Sequence, residues 1–237
     1  MNPVQQSFVG YYPIPIRYGL TVGELAQMII GEQWINPAPV LKVIPVENWQ
    51  PGLWFDNTDL PWIKPSPNIP DLPTALVYPG ICLIEGTNVS EGRGTRQPFL
   101  QIGAPWIDGT ELADAMNQFE LPGARFQTVS FTPVAIPGMA ANPKYEGVTC
   151  HGIAISVTNR NQYNSVACGI YLLSTLKHLY VESFELKERW LTKLWGSRSI
   201  VAAINEQIPP DRILADISRQ SAAFNQSTSK YRIYPTP

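Results

Sequence analysis

Between Glu85 and Thr95 the chain reads Glu85-Gly86-Thr87-Asn88-Val89-Ser90-Glu91-Gly92-Arg93-Gly94-Thr95: two carboxylates, a guanidinium, an amide and three hydroxyls, punctuated by three glycines. Glycine lets a backbone take positive φ and approach a ligand closely. Glu85 and Glu91 are a candidate acid–base pair, since glycoside cleavage uses two carboxyl groups about 5 to 9 Å apart across the scissile bond. Each also has a plainer reading. Glu85 would bond nearby backbone N–H groups, and Glu91 and Arg93 would pair with each other on a turn. Ligand contact is favoured for Arg93, because a guanidinium matches planar anionic groups bidentately. Asn88, Ser90 and Thr95 are candidate hydrogen-bonding contacts in the same loop. Asn68, in Ser66-Pro67-Asn68-Ile69-Pro70, either turns the backbone or binds.

Other chemistries fit less well. Gly92-Arg93-Gly94-Thr95 suggests an anion nest, but no Lys-Ser/Thr follows Gly94, so it is not a P-loop. No G-x-S-x-G elbow occurs, and Ser90 has no local histidine. Cys82, Cys150 and Cys168 sit among apolar residues without metal spacing and read as small buried hydrophobes. His151 reads as a strand-entry residue and His178 as a partly buried structural one. Asp108 and Glu111 have the spacing of a helix N-cap and its third residue, so Asp108 is read as a cap rather than an acid.

The elements that must position these groups are legible in part. The opening, Phe8 to Arg17, is Pro-broken and reads as a connection. Thr21-Val22-Gly23-Glu24 fits a capping box for a helix to about Ile30, with Val22, Leu25, Met28 and Ile29 on its apolar side. Leu41 to Val46 reads as a strand, with Pro45 placing it at an edge or an end. A long aromatic and Pro-rich segment, Trp49 to Gly80, reads as a loop packed or functional rather than disordered. The run Ile81-Cys82-Leu83-Ile84 reads as a short buried strand delivering the polar loop. A helix is expected from Asp108 to Phe119, strands over Ala124–Phe131 and Gly152–Thr158, and a Pro-rich connection between them. Helices follow over Ser165–Tyr180, Phe184–Trp195, Ser199–Gln207 and from Pro210 to about Phe224, and Lys230–Tyr234 reads as a closing strand.

Composition sets the limits. At 237 residues and 44% hydrophobic, the chain can bury a real core as one large or two small domains. A net charge of -2 and no Lys/Arg cluster exclude the electrostatic footprint of a nucleic-acid or membrane-surface binder. No apolar run approaches the roughly 18 residues of a membrane span. The opening residues have neither the basic nor the apolar region of a signal peptide.

Several segments together resemble the bacterial exo-β-N-acetylmuramidase (NamZ-type) family. They are Gly19 to Ala26, Leu60-Pro61-Trp62, Pro65 to Pro70, Thr74 to Gly80, the Glu85–Thr95 loop and Ile102-Gly103-Ala104-Pro105-Trp106, with the resemblance running on to Lys230–Tyr234. The resemblance implies a Rossmann-like N-terminal domain and a smaller C-terminal α/β domain with a cleft between them. It implies hydrolysis of terminal β-linked N-acetylmuramic acid from peptidoglycan fragments, with no cofactor. The expected fold class is α/β: residues 1–79 as the C-terminal part of the Rossmann-like domain, and 80–237 as a smaller α/β (α+β) domain.

The pattern departs from the family at one important place. Members carry an upstream Glu-His-Gly type motif with the presumed catalytic glutamates, and neither histidine here is preceded by Glu. Smaller departures are Tyr18 for the usual His, Gln50-Pro51 for a common Arg, and Asn159 for Asp. The expectation is therefore a truncated or split reading frame, weak or inactive alone, with the missing N-terminal half as a partner chain. No residue of this chain is assigned as catalytic. Asn68, Glu85, Asn88, Ser90, Glu91, Arg93 and Thr95 are expected to bind muramic-acid sugars, Arg93 and Asn88 at the lactyl carboxylate or N-acetyl group. The alternative is a non-catalytic sugar-binding or interaction module. Members act outside the cytoplasm; the location of this chain stays open.

Overall fold

Strand-forming residues at Ala124–Phe131 (β2) and Cys150–Val157 (β3) pair antiparallel, Phe126 opposite Ile155 and Thr128 opposite Ile153. The short Gln101–Ala104 (β1) pairs with the far side of β3, giving the order β1-β3-β2. These contacts come from a computed structural model that describes Gln6, Ser7 and residues 10–235. The chain divides into two compact units, Met1–Pro13 with Trp62–Ala215, and Ile14–Pro61 with Asp216–Pro237. Phe8 and Val9, part of the stretch read as a connection, lie outside the described residues.

The first unit is built on apolar burial. Helix α3 (Gly109–Gln118) starts at Asp108, whose carboxylate accepts from the backbone of Thr110 and Glu111. Its Asn117 side chain clamps the Phe126 backbone in both directions. Helix α2 (Leu72–Ile81) crosses α4 (Ser165–Leu179) at Gly80, where a Cβ would lie 1.6 Å from the Ser165 carbonyl. Helix α4 buries Cys168, Ile170, Leu172, Leu173 and Leu176. Helix α5 (Glu188–Trp195) backs the 3-10 turn Cys82–Gly86, and Leu191 fills the space where a Cβ on Gly86 would stand. Helix α6 (Ser199–Asn205) adds Ile200, Val201 and Ile204.

The second unit holds α1 (Val22–Gly31) and the C-terminal part of α7 (Pro210–Thr228). The capping box forms, with Glu24 accepting from Thr21 and Thr21 from Glu24. Burial pushes the Glu24 carboxyl up, but bonds from the Thr21 and Ile233 backbones outweigh it and hold it below the ordinary range. Leu20 and Met28 are the only buried hydrophobic residues described in this unit.

Six sequence readings need correcting. Ile81–Ile84 is not a strand: Ile81 closes α2 and the rest forms the 3-10 turn. A short apolar run bounded by turns has no period to tell a strand from a buried helix. The supposed loop to Gly80 contains α2, whose Pro79 hides it and whose Asp71 cap and Pro73 in the first turn announce it. Leu41–Val46 and Lys230–Tyr234 form no strand; neither finds a strand to pair with, and the second holds the 3-10 turn Ser229–Tyr231. Val22 is 79% exposed rather than on the apolar side of α1, and His178 is exposed.

Candidate functional site

The polar loop leaves the 3-10 turn Cys82–Gly86 and is fixed along its backbone on two sides. Thr87 bridges to Leu186, and Ser90 to Gly103 of β1 with N–H···O distances of 2.8 and 3.1 Å. Gly92 and Gly94 both hold positive φ, and a Cβ on either would strike a carbonyl oxygen, of Gln101 and Val134 respectively. Here the glycines serve loop packing, with the backbone approaching another backbone and not open space.

Within this frame the charged residues converge. Arg93 Nη2 donates to Glu85 Oε2 at 3.0 Å, and Arg93 Nε lies 3.4 Å from Glu91 Oε1. Lys144 Nζ stands 2.9 Å from the other oxygen of Glu91. The same ammonium donates to the carbonyls of Val89 at 2.8 Å and Ile84 at 3.1 Å. Under the guanidinium lies the ring of Phe99, 5.3 Å from Arg93 Cζ, with Tyr78 edge-on to it. Phe99 is fully buried and held at φ +64, a conformation rare for a bulky residue and kept only where the surroundings impose it.

Burial shifts two members of this cluster, Glu85 and Lys144. Desolvation pushes the Glu85 carboxyl above its ordinary range, against the pull of Arg93. Desolvation lowers Lys144, against the pull of Glu91. The thiols of Cys82 and Cys168 are pushed up to about 12, and that of Cys150 to about 11, by burial. All three cysteines are free, and thiols held protonated in this way are inert as nucleophiles.

The other residues expected to bind make hydrogen bonds within the protein. The Asn88 amide donates to the Ser183 carbonyl at 2.8 Å and accepts from the Glu185 N–H at 3.0 Å. Ser90 Oγ accepts from the Gly92 N–H, and Thr95 Oγ1 donates to the Gly92 carbonyl. Asn68 is buried; its Nδ2 donates to the Met139 carbonyl at 2.7 Å, and its Oδ1 has no hydrogen-bond partner. The structure thus brings Glu85, Glu91 and Arg93 together, and uses Asn88, Ser90 and Thr95 as local clamps.

Sequence reasoning missed the element that joins them, the segment 132–149 between β2 and β3. It contributes Lys144 to Glu91, Val134 N–H to the Gly94 carbonyl, Met139 O to Asn68, and Tyr145 OH to the Asn88 carbonyl at 2.7 Å. Trp106 Nε1 donates in turn to Tyr145 OH. A lone lysine between Pro143 and Tyr145 gives no local signal of such a role. The one available clue was charge balance, since the loop carries two carboxylates and one guanidinium. His151 stands apart from the cluster on β3, its Nδ1 2.8 Å from Ser130 Oγ. Among the described residues no group of three or more His, Cys, Asp and Glu could hold a metal, and no helix is long and apolar enough to cross a membrane.

Comparison with known proteins adds the following. The family model described as "Exo-beta-N-acetylmuramidase NamZ, C-terminal" matches residues 76–234, and its N-terminal counterpart matches residues 1–73. The chain is 39% identical over 235 residues to "Peptidoglycan beta-N-acetylmuramidase NamZ" of Bacillus subtilis (strain 168), covering 99% of this chain and 55% of that protein. Two crystal structures of DUF1343 family proteins from Bacteroides fragilis NCTC 9343 superpose with TM-scores of 0.88 and 0.77, at 25% and 30% identity. They take in 98% and 100% of this chain, and 60% and 62% of theirs. The chain therefore spans less than two thirds of the length of each of these relatives.

Proposed function

This chain belongs to the exo-β-N-acetylmuramidase NamZ family, and from that we propose that it is part of a peptidoglycan-sugar glycoside hydrolase. Its reaction is release of terminal β-linked N-acetylmuramic acid. The chain supplies one wall of the sugar site, and the carboxylates that cleave belong to polypeptide outside it. By itself the chain is weak or inactive.

The observation that carries this reading is the position of Arg93. Its side chain is 30% exposed, and it is oriented from below by Phe99 and from the sides by Glu85 and Glu91. A guanidinium fixed in this way loses little freedom when its remaining N–H groups meet a planar acceptor. The lactyl carboxylate and the N-acetyl oxygen of muramic acid are such acceptors. The same arrangement argues against hydrolysis by the loop's own acids. A glycosidic bond must lie between two carboxyl groups, and here one guanidinium occupies that position between Glu85 and Glu91. Asn68 and Asn88 act by holding the loops in place.

Titration calorimetry with N-acetylmuramic acid tests the reading. The expected result is saturable binding, weakened at least tenfold in Arg93→Ala. Absence of binding to the folded chain would overturn it. The alternative, a sugar-binding module without any catalytic partner, shares this result and is separated from it by turnover of a β-N-acetylmuramide with and without the complementary portion of the Bacillus subtilis relative.

A further inference from the structure

The formal charges of the cluster around the polar loop sum to zero: Glu85 and Glu91 against Arg93 and Lys144. The two acids are not equivalent. Glu91, its side chain 6% exposed, has a cation at each oxygen, Lys144 at 2.9 Å and Arg93 at 3.4 Å. Lys144 is held in turn by the carbonyls of Val89 and Ile84, to which it donates. Glu85 has a single ion pair, the 3.0 Å contact with Arg93 Nη2. The other titratable groups that face Glu85 are Tyr78 of α2 and Cys82 of its own turn, both kept neutral by burial. Lys187, at the start of α5, acts on Lys144. A ligand carboxylate on the exposed edge of Arg93 therefore leaves the cluster one negative charge in excess. It also shares the one guanidinium that neutralises Glu85. With Glu85 18% and Arg93 30% exposed, an unbalanced charge is costly, and the less compensated carboxyl takes up a proton instead. A neutral acceptor such as an amide oxygen makes no such demand.

We infer that Glu85 is the charge-sensing residue of the Arg93 site: an anionic sugar binds together with one proton from solvent, which Glu85 receives, and a neutral sugar binds with none. This deepens the sugar reading proposed above and rests on Arg93 being the contact. The proton converts the Glu85 carboxylate into a neutral acid with an O–H donor, so the liganded cluster keeps the zero charge of the free one. The site thereby tells a free lactyl carboxylate from the same group capped as an amide. Burial already raises the Glu85 carboxyl in the free chain, and a second carboxylate on Arg93 raises it further. Affinity for the anion is therefore greatest below the free-chain value, and the gain is lost as pH rises through the liganded one.

Titration calorimetry with N-acetylmuramic acid at pH 5.5, in MES and in Bis-Tris, reads proton uptake from the difference in apparent heat between the two buffers. The expected result is uptake of about half a proton or more per sugar, with affinity falling about fivefold or more by pH 7.5. The neutral lactyl methylamide of N-acetylmuramic acid is expected to bind with no uptake and no pH trend. Glu85→Gln, which fixes a neutral group beside Arg93, is expected to bind the acid with no uptake, and about fivefold more tightly than the unaltered chain at pH 7.5. Binding of the acid to the unaltered chain without proton uptake would overturn the inference and leave the Arg93 contact standing. So would equal uptake with the methylamide. If neither sugar binds the folded chain, Arg93 is not the contact and both readings fall. The buffer comparison uses the unaltered chain, so it gives its answer even where Glu85→Gln does not fold.

Discussion

The two units solve the same problem in opposite ways. The first buries α4, β3 and the Cys82–Gly86 turn in a continuous apolar core, and that core is deep enough to hold a charged cluster of Glu85, Glu91, Arg93 and Lys144. The second buries Leu20 and Met28, and otherwise relies on polar ties from its C-terminal residues. Ile233 N–H donates to Glu24, Tyr231 OH to Glu32 and Arg232 to the Gly19 carbonyl. The last two are exposed and contribute about 1 kcal/mol or less each. A site that needs a fixed guanidinium can be built on the first kind of body.

The difference predicts a graded response to mutation. Glu91→Ala strands Lys144 and the Nε side of Arg93 in a partly buried setting, and is expected to cost about 3 kcal/mol in urea unfolding, the low end for a buried pair. A cost under 1 kcal/mol would place the cluster effectively in water and erase the contrast. Asn88→Ala removes two bonds between the loop and residues 183–185, at about 1–3 kcal/mol. Thr21→Ala removes the cap of α1 and is expected to cost about 1 kcal/mol, read as faster amide exchange in the second unit alone. Ile44→Ala, at a side chain mostly in water, is expected to stay within about 0.5 kcal/mol. Should it destabilise as much as Asn88→Ala, the surface around it is already covered.

The pH response is the smallest expected effect and rests on Glu85. The folded state raises the Glu85 pKa above 4.5 through burial. Its protonated form is therefore favoured by folding. The stability it contributes is fully present below the unfolded value and is lost as pH rises through the folded one. In Glu85→Gln this gain at low pH disappears. Urea midpoints of both proteins from pH 4 to 7 measure it, and parallel curves would contradict the assignment.

Much of this was legible in the sequence, for local reasons. The Asp108 and Thr21 caps and the period of α4 are encoded within a few residues of where they act. The α/β class and the family followed from motifs of similar length. What was illegible depended on distant partners. Ile81–Ile84 is apolar on every side, so nothing in it separates helix end from strand. Leu41–Val46 has strand composition, but strand formation is a property of two segments, and it pairs with none among the described residues. In the site, the pairing of Glu91 with Arg93 was foreseeable from two residues of spacing. Lys144 approaches from 53 positions away, across a sheet whose closure decides the contact.

The central claim is that this chain holds a sugar wall without the groups that cut. Release of chromogenic aglycone from a β-N-acetylmuramide tests it most directly, measured for the chain alone and for the chain co-expressed with the complementary portion of the Bacillus subtilis relative. The account predicts no turnover above buffer for the chain alone and measurable turnover for the pair, reduced at least tenfold by Arg93→Ala. Sustained turnover by the chain alone, lost in Glu85→Gln, would contradict it and make Glu85 the acid.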